Sequence, residues 1–320
     1  MTRRRRTLAD LGETALIRRI ARRAGVPPKR TWPLGIGDDA AILRTRRGEE
    51  LVLSSDVQVE GVHFRFGRET PRTIGRRALV VNLSDLAAMG AEPVGALLSL
   101  CVPATLPVAT FDGFIDGFLT EARLHGCPLV GGNLSRAKDS SLTVTVVGRC
   151  PRGRALRRSG LRVGDSLYVT GVLGAAALAR LRADRHGSRL TRVPRPRLEA
   201  GRALAKMGGV RACIDLSDGL ASDLARLLAG TRLGAEIDPG ALPAPRGFRR
   251  ACRELGLDPA TLLAGGGEDY ELLFALASHH PDAGIEGLAE RLGVRVSRIG
   301  EIVDRVGIRG LPPAGPAHHF

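Results

Sequence analysis

The chain has 320 residues, too many for one ordinary core and enough for two domains. Hydrophobic residues make up 43% of it, with 41 glycines but only 3% aromatics, so it reads as a turn-rich globular protein whose cores are mostly Ala, Leu and Val. A formal charge of +15 raises nucleic acid or an anionic membrane as partners, yet the arginines run along the whole chain and no aromatics interleave with them as a single-strand binding surface requires.

The densest basic run, "TRRRR" at 2–6, is terminal and reads as a solvated tail. The cysteines (Cys101, Cys127, Cys150, Cys213, Cys252) are odd in number and form no Cys-x-x-Cys pair, which speaks against a disulfide framework or a zinc site. The histidines show no metal-ligand spacing; His279-His280 and His318-His319 are merely adjacent. No apolar run is long enough to span a membrane, and the basic N-terminus lacks the apolar stretch of a secretory signal. A soluble cytoplasmic protein without membrane contact is expected, with nucleic acid not favoured.

In chain order, Leu8–Ala24 has helical spacing and stops near Gly25. "ELVLSSD" at Glu50–Asp56 reads as a strand ending in an aspartate. Thr73–Met89 reads as a helix stopped by Gly90, Val94–Val102 as a strand and Phe111–His125 as a second helix. Pro128–Val130 is short and apolar and runs into "GGNLSR"; Ser141–Arg149 alternates as a strand. The basic, turn-rich Pro151–Asp165 then connects to a strand, "SLYVTG". A helix is expected at Gly174–Leu181, a loop at His186–Pro196, a helix from Leu220 and a strand at "GAEID". Another strand follows at Tyr270–Ala277, a helix at Ala283–Leu292 and a tail from Pro312 to Phe320. Strands and helices do not alternate strictly, so the class is α+β, with two domains, 1–150 and 151–320.

Acidic residues recur beside glycine turns or at ends of apolar strands: Asp38-Asp39 in "GIGDDAAIL", Asp56 in "LSSD", Asp85 in "NLSDLAAMGA", Asp215 and Asp218 in "IDLSDGL", and Glu268-Asp269 in "GGGEDYE". Singly, each is better read as a helix cap or turn residue. As a set they are hard to explain as caps, because carboxylates in apolar settings must be paired or bound to metal. Adjacent carboxylates such as Asp38-Asp39 repel, and a cation would relieve them. Oxygen donors without His or Cys point to magnesium, which shares its coordination with phosphates, and hence to phosphate chemistry. "GVLGAA" at Gly171 and "GGN" at Gly131-Gly132 would let backbone N–H groups approach phosphate oxygens, although strand-to-helix turns use the same residues. No P-loop, dinucleotide fingerprint, G-x-S-x-G elbow or H-R-D catalytic loop occurs.

Six stretches appear in order: "GIGDDAAIL", "LSSDVQVEGVHF", "NLSDLAAMGAEP", "RALRRSGLRVGDSLYVTG", "IDLSDGLASDL" and "GGGEDYELLF". Together, from about Leu11 to about Glu301, they resemble the thiamine-monophosphate kinase family of the aminoimidazole ribonucleotide synthetase-like superfamily. Two sister families fit less well, since no cysteine precedes Cys101 and the chain ends in Phe320. The resemblance implies direct transfer of phosphate from ATP to thiamine monophosphate, assisted by several magnesium ions. It implies Asp39 (with Asp38 beside it), Ser54, Ser55, Asp56, Asp85, Asn133, Asp215 and Asp218 as metal ligands. Among these, Asp56, Asp85 and Asp215 would be the catalytic set. Gly132, Asn133, Arg158 and Ser217 would lie at the nucleotide, and His63 and Glu268 at thiamine monophosphate. The spacing of Asp215 and Asp218 would put both on one side if the segment opens a helix.

The resemblance also implies a homodimer, in which N-terminal sheets of two subunits pair into a shared barrel. The N-terminal domain would bind ATP and magnesium and dimerise; the C-terminal α+β domain would complete the nucleotide and substrate site. Two departures stand out: Asn133 replaces an aspartate common in the family, and the tail "GPAHHF" lacks the family's aromatic-containing ending, which leaves stacking on the substrate rings open. The rival readings are a sister ATP-dependent ligase or synthetase, a basic nucleic-acid-binding protein, and a degenerate dimer that only binds nucleotide.

Overall fold

The structure, a computed structural model, describes residues 6–278 and 283–313. The basic run as far as residue 5, the His279-His280 pair and the tail from residue 314, with His319 and Phe320, lie outside the described residues. After a short 3-10 turn at Leu8–Asp10 come α1 (Glu13–Ala24), β1 (Glu49–Val59), α2 (Pro71–Ala88), β2 (Glu92–Val102), α3 (Val108–Leu124), β3 (Leu129–Arg136) and β4 (Ser141–Pro151). The remainder is β5 (Ser166–Thr170), α4 (Ala175–His186), α5 (Leu198–Met207), β6 (Val210–Asp215), α6 (Leu220–Leu228), β7 (Gly234–Ile237), α7 (Phe248–Leu255), α8 (Pro259–Gly265), β8 (Leu272–Leu276), α9 (Ala283–Leu292), β9 (Val296–Val303) and β10 (Gly307–Arg309). The class is α+β, in two compact units. One takes the described residues through Leu86, Glu92–Arg152 and Arg189–Val193; the other takes Ala87–Ala91, Gly153–Ser188 and the described residues from Pro194 on.

The first unit is built on an open four-stranded sheet in the order β1-β4-β2-β3, with β2 and β3 parallel and the other pairs antiparallel. Strand alternation gives it two unlike faces. Val144, Val146, Leu98 and Leu100 are buried on one, whereas Leu51 (42% exposed), Leu53 (63%), Val57 (40%) and Leu97 (37%) meet water on the other. Helices α2 and α3 carry the unit's large buried side chains, among them Ile74, Leu79, Leu83, Phe111, Phe114 and Phe118. They cross where glycine faces backbone: a Cβ on Gly75 would stand 2.0 Å from the Phe114 carbonyl oxygen, and one on Gly117 would stand 2.1 Å from that of Arg72.

The second unit holds a six-stranded sheet in the order β10-β7-β9-β5-β8-β6, parallel only between β10 and β7. Leu167, Val169, Ile214, Leu273, Ile299 and Ile302 of its strands pack with Leu220, Leu224 and Leu227 of α6. A smaller cluster joins Leu178 of α4 to Phe248, Ala251 and Cys252 of α7.

Several expectations change. The helix expected over Leu8–Ala24 breaks at Gly12, whose φ of 73° lies in the left-handed region, and only Glu13–Ala24 is α-helical. Asp56 is not at a strand end, since β1 continues to Val59. "GGN" is not a turn: Gly131, Gly132 and Asn133 lie within β3. Helices α5, α7 and α8 and strands β9 and β10 occupy stretches with no expected element. Among the described residues the four-stranded sheet of the first unit is open. No helix among the described residues is long and apolar enough to cross a membrane.

The crossing of α2 and α3 makes a signed prediction. Alanine normally favours a helix over glycine by about 1 kcal/mol. At Gly117 the added methyl has no room, so Gly117→Ala is expected to destabilise the protein by roughly 1–3 kcal/mol, read from the midpoint of urea unfolding. A stabilised variant would show that the helices are not pressed together there.

Candidate active site

In the first unit the sheet and α2 bring three candidates together. Ser54 and Asp56, two residues apart on β1, share the face that α2 covers. The Ser54 hydroxyl donates to the carboxylate of Asp85 on α2 at 2.5 Å, and one turn earlier the Asn82 side-chain oxygen accepts the backbone N–H of Asp56 at 3.0 Å. Asn82 is itself buried and donates to the Ala78 carbonyl at 2.9 Å, so its amide is fixed at both ends. Asp85 is half-buried and Asp56 exposed.

Ser55 is different. Alternation turns its side chain to the opposite face, where its hydroxyl bonds Thr145 at 2.9 Å and the Val144 carbonyl at 3.2 Å. The register Ser99–Asn133 sets Asn133 on that same opposite face, exposed, with its amide donating to Ser135 at 3.1 Å. Gly132 has a structural reason to be glycine, since its φ is 149° and a Cβ would stand 1.9 Å from the Leu98 carbonyl oxygen.

Asp38 and Asp39 are both exposed, and Asp38 accepts the Asp39 N–H at 2.9 Å. Burial therefore does not sharpen their repulsion, and the pair is accounted for locally as a turn. His63 is half-buried; its Nδ1 accepts the Val59 N–H at 3.1 Å and its carbonyl accepts from Arg77 at 3.2 Å. Arg77 is in turn held by buried Glu69.

In the second unit Asp215 ends β6 and is buried, whereas Ser217 and Asp218 lie half-buried in the loop before α6. The helix opens only at Leu220, so helical spacing does not relate Asp215 to Asp218. Sequence reasoning passed over Asp223. From the first turn of α6 it accepts the N–H groups of Asp218 (3.0 Å) and Gly219 (3.2 Å) and closes the loop. Arg226 bridges Asp223, at 2.5 Å, and Asp218. The signal was present in "SDGLASDL", where a short acidic residue stands in the first turn of a helix. Burial pushes Asp223 up from 3.8 to about 6, against the opposing effects of the Asp218 N–H and Arg226.

The loop 267–271 lies against this one. Leu216 N–H donates to the Glu271 carbonyl (2.8 Å), Glu268 N–H to that of Ser217 (2.7 Å), and Tyr270 N–H to that of Leu216 (2.9 Å). Glu268 and Tyr270 have φ values of 57° and 53°, the described non-glycine residues in the left-handed region. Such conformations cost about 1–3 kcal/mol each and persist only where surroundings impose them. Asp269 and Glu271, between and after them, point inward and are buried. Asp269 caps the start of α4 through the N–H groups of Gly174 (2.5 Å) and Ala176 (2.9 Å). Glu268 lies 3.9 Å from Arg180, and Arg158 is exposed on the loop before β5.

Among the described residues no three of His, Cys, Asp and Glu stand together as a group able to hold a metal. The candidate donors are carboxylate, hydroxyl and amide oxygens. That chemistry suits magnesium, which commonly takes one or two protein carboxylates and completes its shell with water and phosphate.

Residues 37–150 match the family described as AIR synthase related protein, N-terminal domain, and residues 162–310 match its C-terminal domain. A thiamine-monophosphate kinase of Synechococcus elongatus is 37% identical, over 94% of this chain and 91% of its own. The chain belongs to the thiamine-monophosphate kinase family. The crystal structure of the thiamine-monophosphate kinase from Stenotrophomonas maltophilia K279a superposes with a TM-score of 0.81 at 37% identity, covering 95% of this chain and 98% of its own. A second family structure, AaThiL complexed with AMPPCP and TMP, has a TM-score of 0.74 at 29% identity, covering 97% and 98% of the two chains.

The Asp223 carboxyl yields a pH prediction. Its folded value of about 6 lies above the ordinary 3.8, so between those values the folded chain holds a proton that the unfolded chain has lost. Stability therefore falls as pH rises from about 4 to about 6, by roughly 2–3 kcal/mol from this group. Asp223→Asn is expected to remove that slope in urea unfolding series at pH 4, 5, 6 and 7; an unchanged slope would assign it elsewhere.

Proposed function

We propose that this chain transfers the γ-phosphoryl group of ATP to thiamine monophosphate, giving thiamine diphosphate and ADP. The observation that carries the reading is the identity to curated thiamine-monophosphate kinases along nearly the whole chain, 37% to the Synechococcus enzyme. The family structure complexed with AMPPCP and TMP supports the same pair of substrates.

The acceptor explains why the candidate site has the character it has. The oxygen of a phosphate monoester is already ionised near neutral pH, its second pKa being about 6. No strong base is then required, and catalysis rests on positioning two anions and neutralising their charge. In the first unit Asp39, Ser54, Asp56 and Asp85, and in the second Asp215 and Asp218, would hold magnesium ions, whereas Ser55 and Asn133, on the opposite sheet face, would have to meet a separate ion. Bound magnesium would neutralise phosphate charge as the γ-phosphoryl group moves. Within the chain, Ser54 orients the Asp85 carboxylate, Asn82 fixes β1 at Asp56, and Asp223 with Arg226 holds Asp218 in place. Gly132, Asn133, Ser217 and Arg158 would meet the nucleotide. His63 would present its ring, oriented by the Val59 N–H, to thiamine monophosphate. Glu268 would offset the positive charge of the thiazolium.

The residues through 150 would supply the magnesium-binding and dimerisation part, and 151–320 the rest of the nucleotide and substrate site. A homodimer belongs to this proposal: the exposed face with Leu51, Leu53, Val57 and Leu97 is an apolar sheet surface that a second copy would cover. The described cysteines are free, which suits the reducing cytoplasm.

Two measurements test the proposal. With ATP and magnesium the protein should convert thiamine monophosphate to thiamine diphosphate, and Asp56→Ala should lower kcat by about 100-fold or more. A folded protein that binds ATP and makes no product would overturn the reading. Leu53→Glu should turn a dimer into a monomer by light scattering; an unchanged mass would place the interface elsewhere.

A further inference from the structure

The left-handed backbone at Glu268 and Tyr270 needs something to impose it, and the support lies one residue further on. The Glu271 carboxylate is buried at 3% exposure and fully engaged. Arg197 grips it with two parallel bonds, Nε to one oxygen and Nη2 to the other, each 2.5 Å. The Thr170 hydroxyl donates to the same carboxylate at 2.7 Å and accepts the Leu272 N–H at 2.8 Å. The space is made by Gly171, where a Cβ would stand 1.9 Å from a Glu271 carboxylate oxygen. Arg197 occupies the N-cap position of α5, a helix absent from the sequence expectation, and directly follows the arginine- and proline-rich stretch His186–Pro196 that reads as a loop.

We infer that Arg197, Glu271 and Thr170 are positioning residues for the thiamine monophosphate subsite, together locking the loop that presents Glu268 and Tyr270. Inward Asp269 and Glu271 are pinned, by the α4 N-terminus and by Arg197 respectively, so the two outward residues cannot relax to right-handed backbone. Glu268 and Tyr270 are both half-buried. A carboxylate and a phenol ring carried on one loop suit a cationic heteroaromatic ligand, through charge and through cation–π contact. The inference rests on the reading of Glu268 as a substrate-binding residue.

The experiment is steady-state kinetics of the full chain with ATP, magnesium and thiamine monophosphate, for wild type, Glu268→Gln, Arg197→Lys and Thr170→Val. Lysine keeps the charge but cannot make the paired bonds, and valine removes only the hydroxyl. The expected result is a KM for thiamine monophosphate raised about tenfold in Arg197→Lys and about threefold in Thr170→Val, with KM for ATP unchanged. Thr170→Val strands the Leu272 N–H and is expected to lower the melting temperature by a few degrees, so the positioning role is read from the split between the two KM values, which a general loss of fold would move together. If Glu268→Gln leaves KM for thiamine monophosphate unchanged, the reading of Glu268 fails, and with it this inference. If Glu268→Gln raises that KM while Arg197→Lys and Thr170→Val leave it unchanged, or raise both KM values in parallel with falling stability, the positioning role alone is overturned.

Discussion

A carboxylate inside a protein is tolerable only where fixed donors or cations meet it, because its desolvation otherwise costs several kcal/mol. This chain buries Glu69, Glu121, Asp165, Asp215, Asp223, Asp269 and Glu271, and much of its local architecture answers that demand. Arginines meet some: Arg77 takes Glu69, Arg76 takes Glu121 and Arg197 takes Glu271. Backbone N–H groups meet others, with Arg162 N–H donating to Asp165 and the start of α4 to Asp269. Glu121, further held by His125, is accordingly kept below the usual carboxylate range despite its burial. The candidate ligands of the first unit are a different population. Asp38, Asp39 and Asp56 are exposed and Asp85 is half-buried, with hydroxyl, amide and backbone donors around them.

Seen this way, the arginine excess has two components. Some guanidinium groups are structural, each closing a specific buried or half-buried acid. Others, such as Arg249, Arg250 and Arg253 on α7, are exposed around a buried stripe of Phe248, Ala251 and Cys252. Exposed charge of this kind contributes little to stability and mainly keeps the surface solvated.

The local setting of the candidate residues was legible in the sequence wherever a short-range rule decided the outcome. Carboxylates next to turns and at the end of β6 were found because Gly and Asp punctuate strands and helices locally. The face of a residue follows from strand register, which no single segment reveals. Ser54 and Ser55 look alike in "LSSD", yet alternation sends one to Asp85 and the other to Thr145. The pairing of Asp215 with Asp218 failed for a related reason, since the helix they were to open starts at Leu220. In α7, "FRRACREL" has a clear apolar stripe that arginine-rich flanks conceal. Helix α8 carried a readable start: Asp258 caps it through the Thr261 N–H at 2.8 Å and Pro259 occupies its first turn. What could not be read at all is the Arg197–Glu271 pair, which joins residues far apart in sequence, the start of α5 and the residue before β8.

Register also bears on Asn133, where the resemblance read from the sequence implies an aspartate. Ser54 and Asp56 face α2, whereas Asn133 shares its face with Ser55, Leu97 and Leu53. In the proposed dimer that second face is covered. An aspartate brought into a covered apolar face needs a cation or donors to remain ionised, and without them it opposes association. An asparagine carries no such charge, and its amide already donates to Ser135 within the same strand. It can still offer its carbonyl oxygen to magnesium, with a weaker hold than a carboxylate. Under the proposed reading the asparagine would lower the electrostatic demand of the covered face while keeping an oxygen donor, and magnesium would depend on the Ser54, Asp56 and Asp85 side of the sheet.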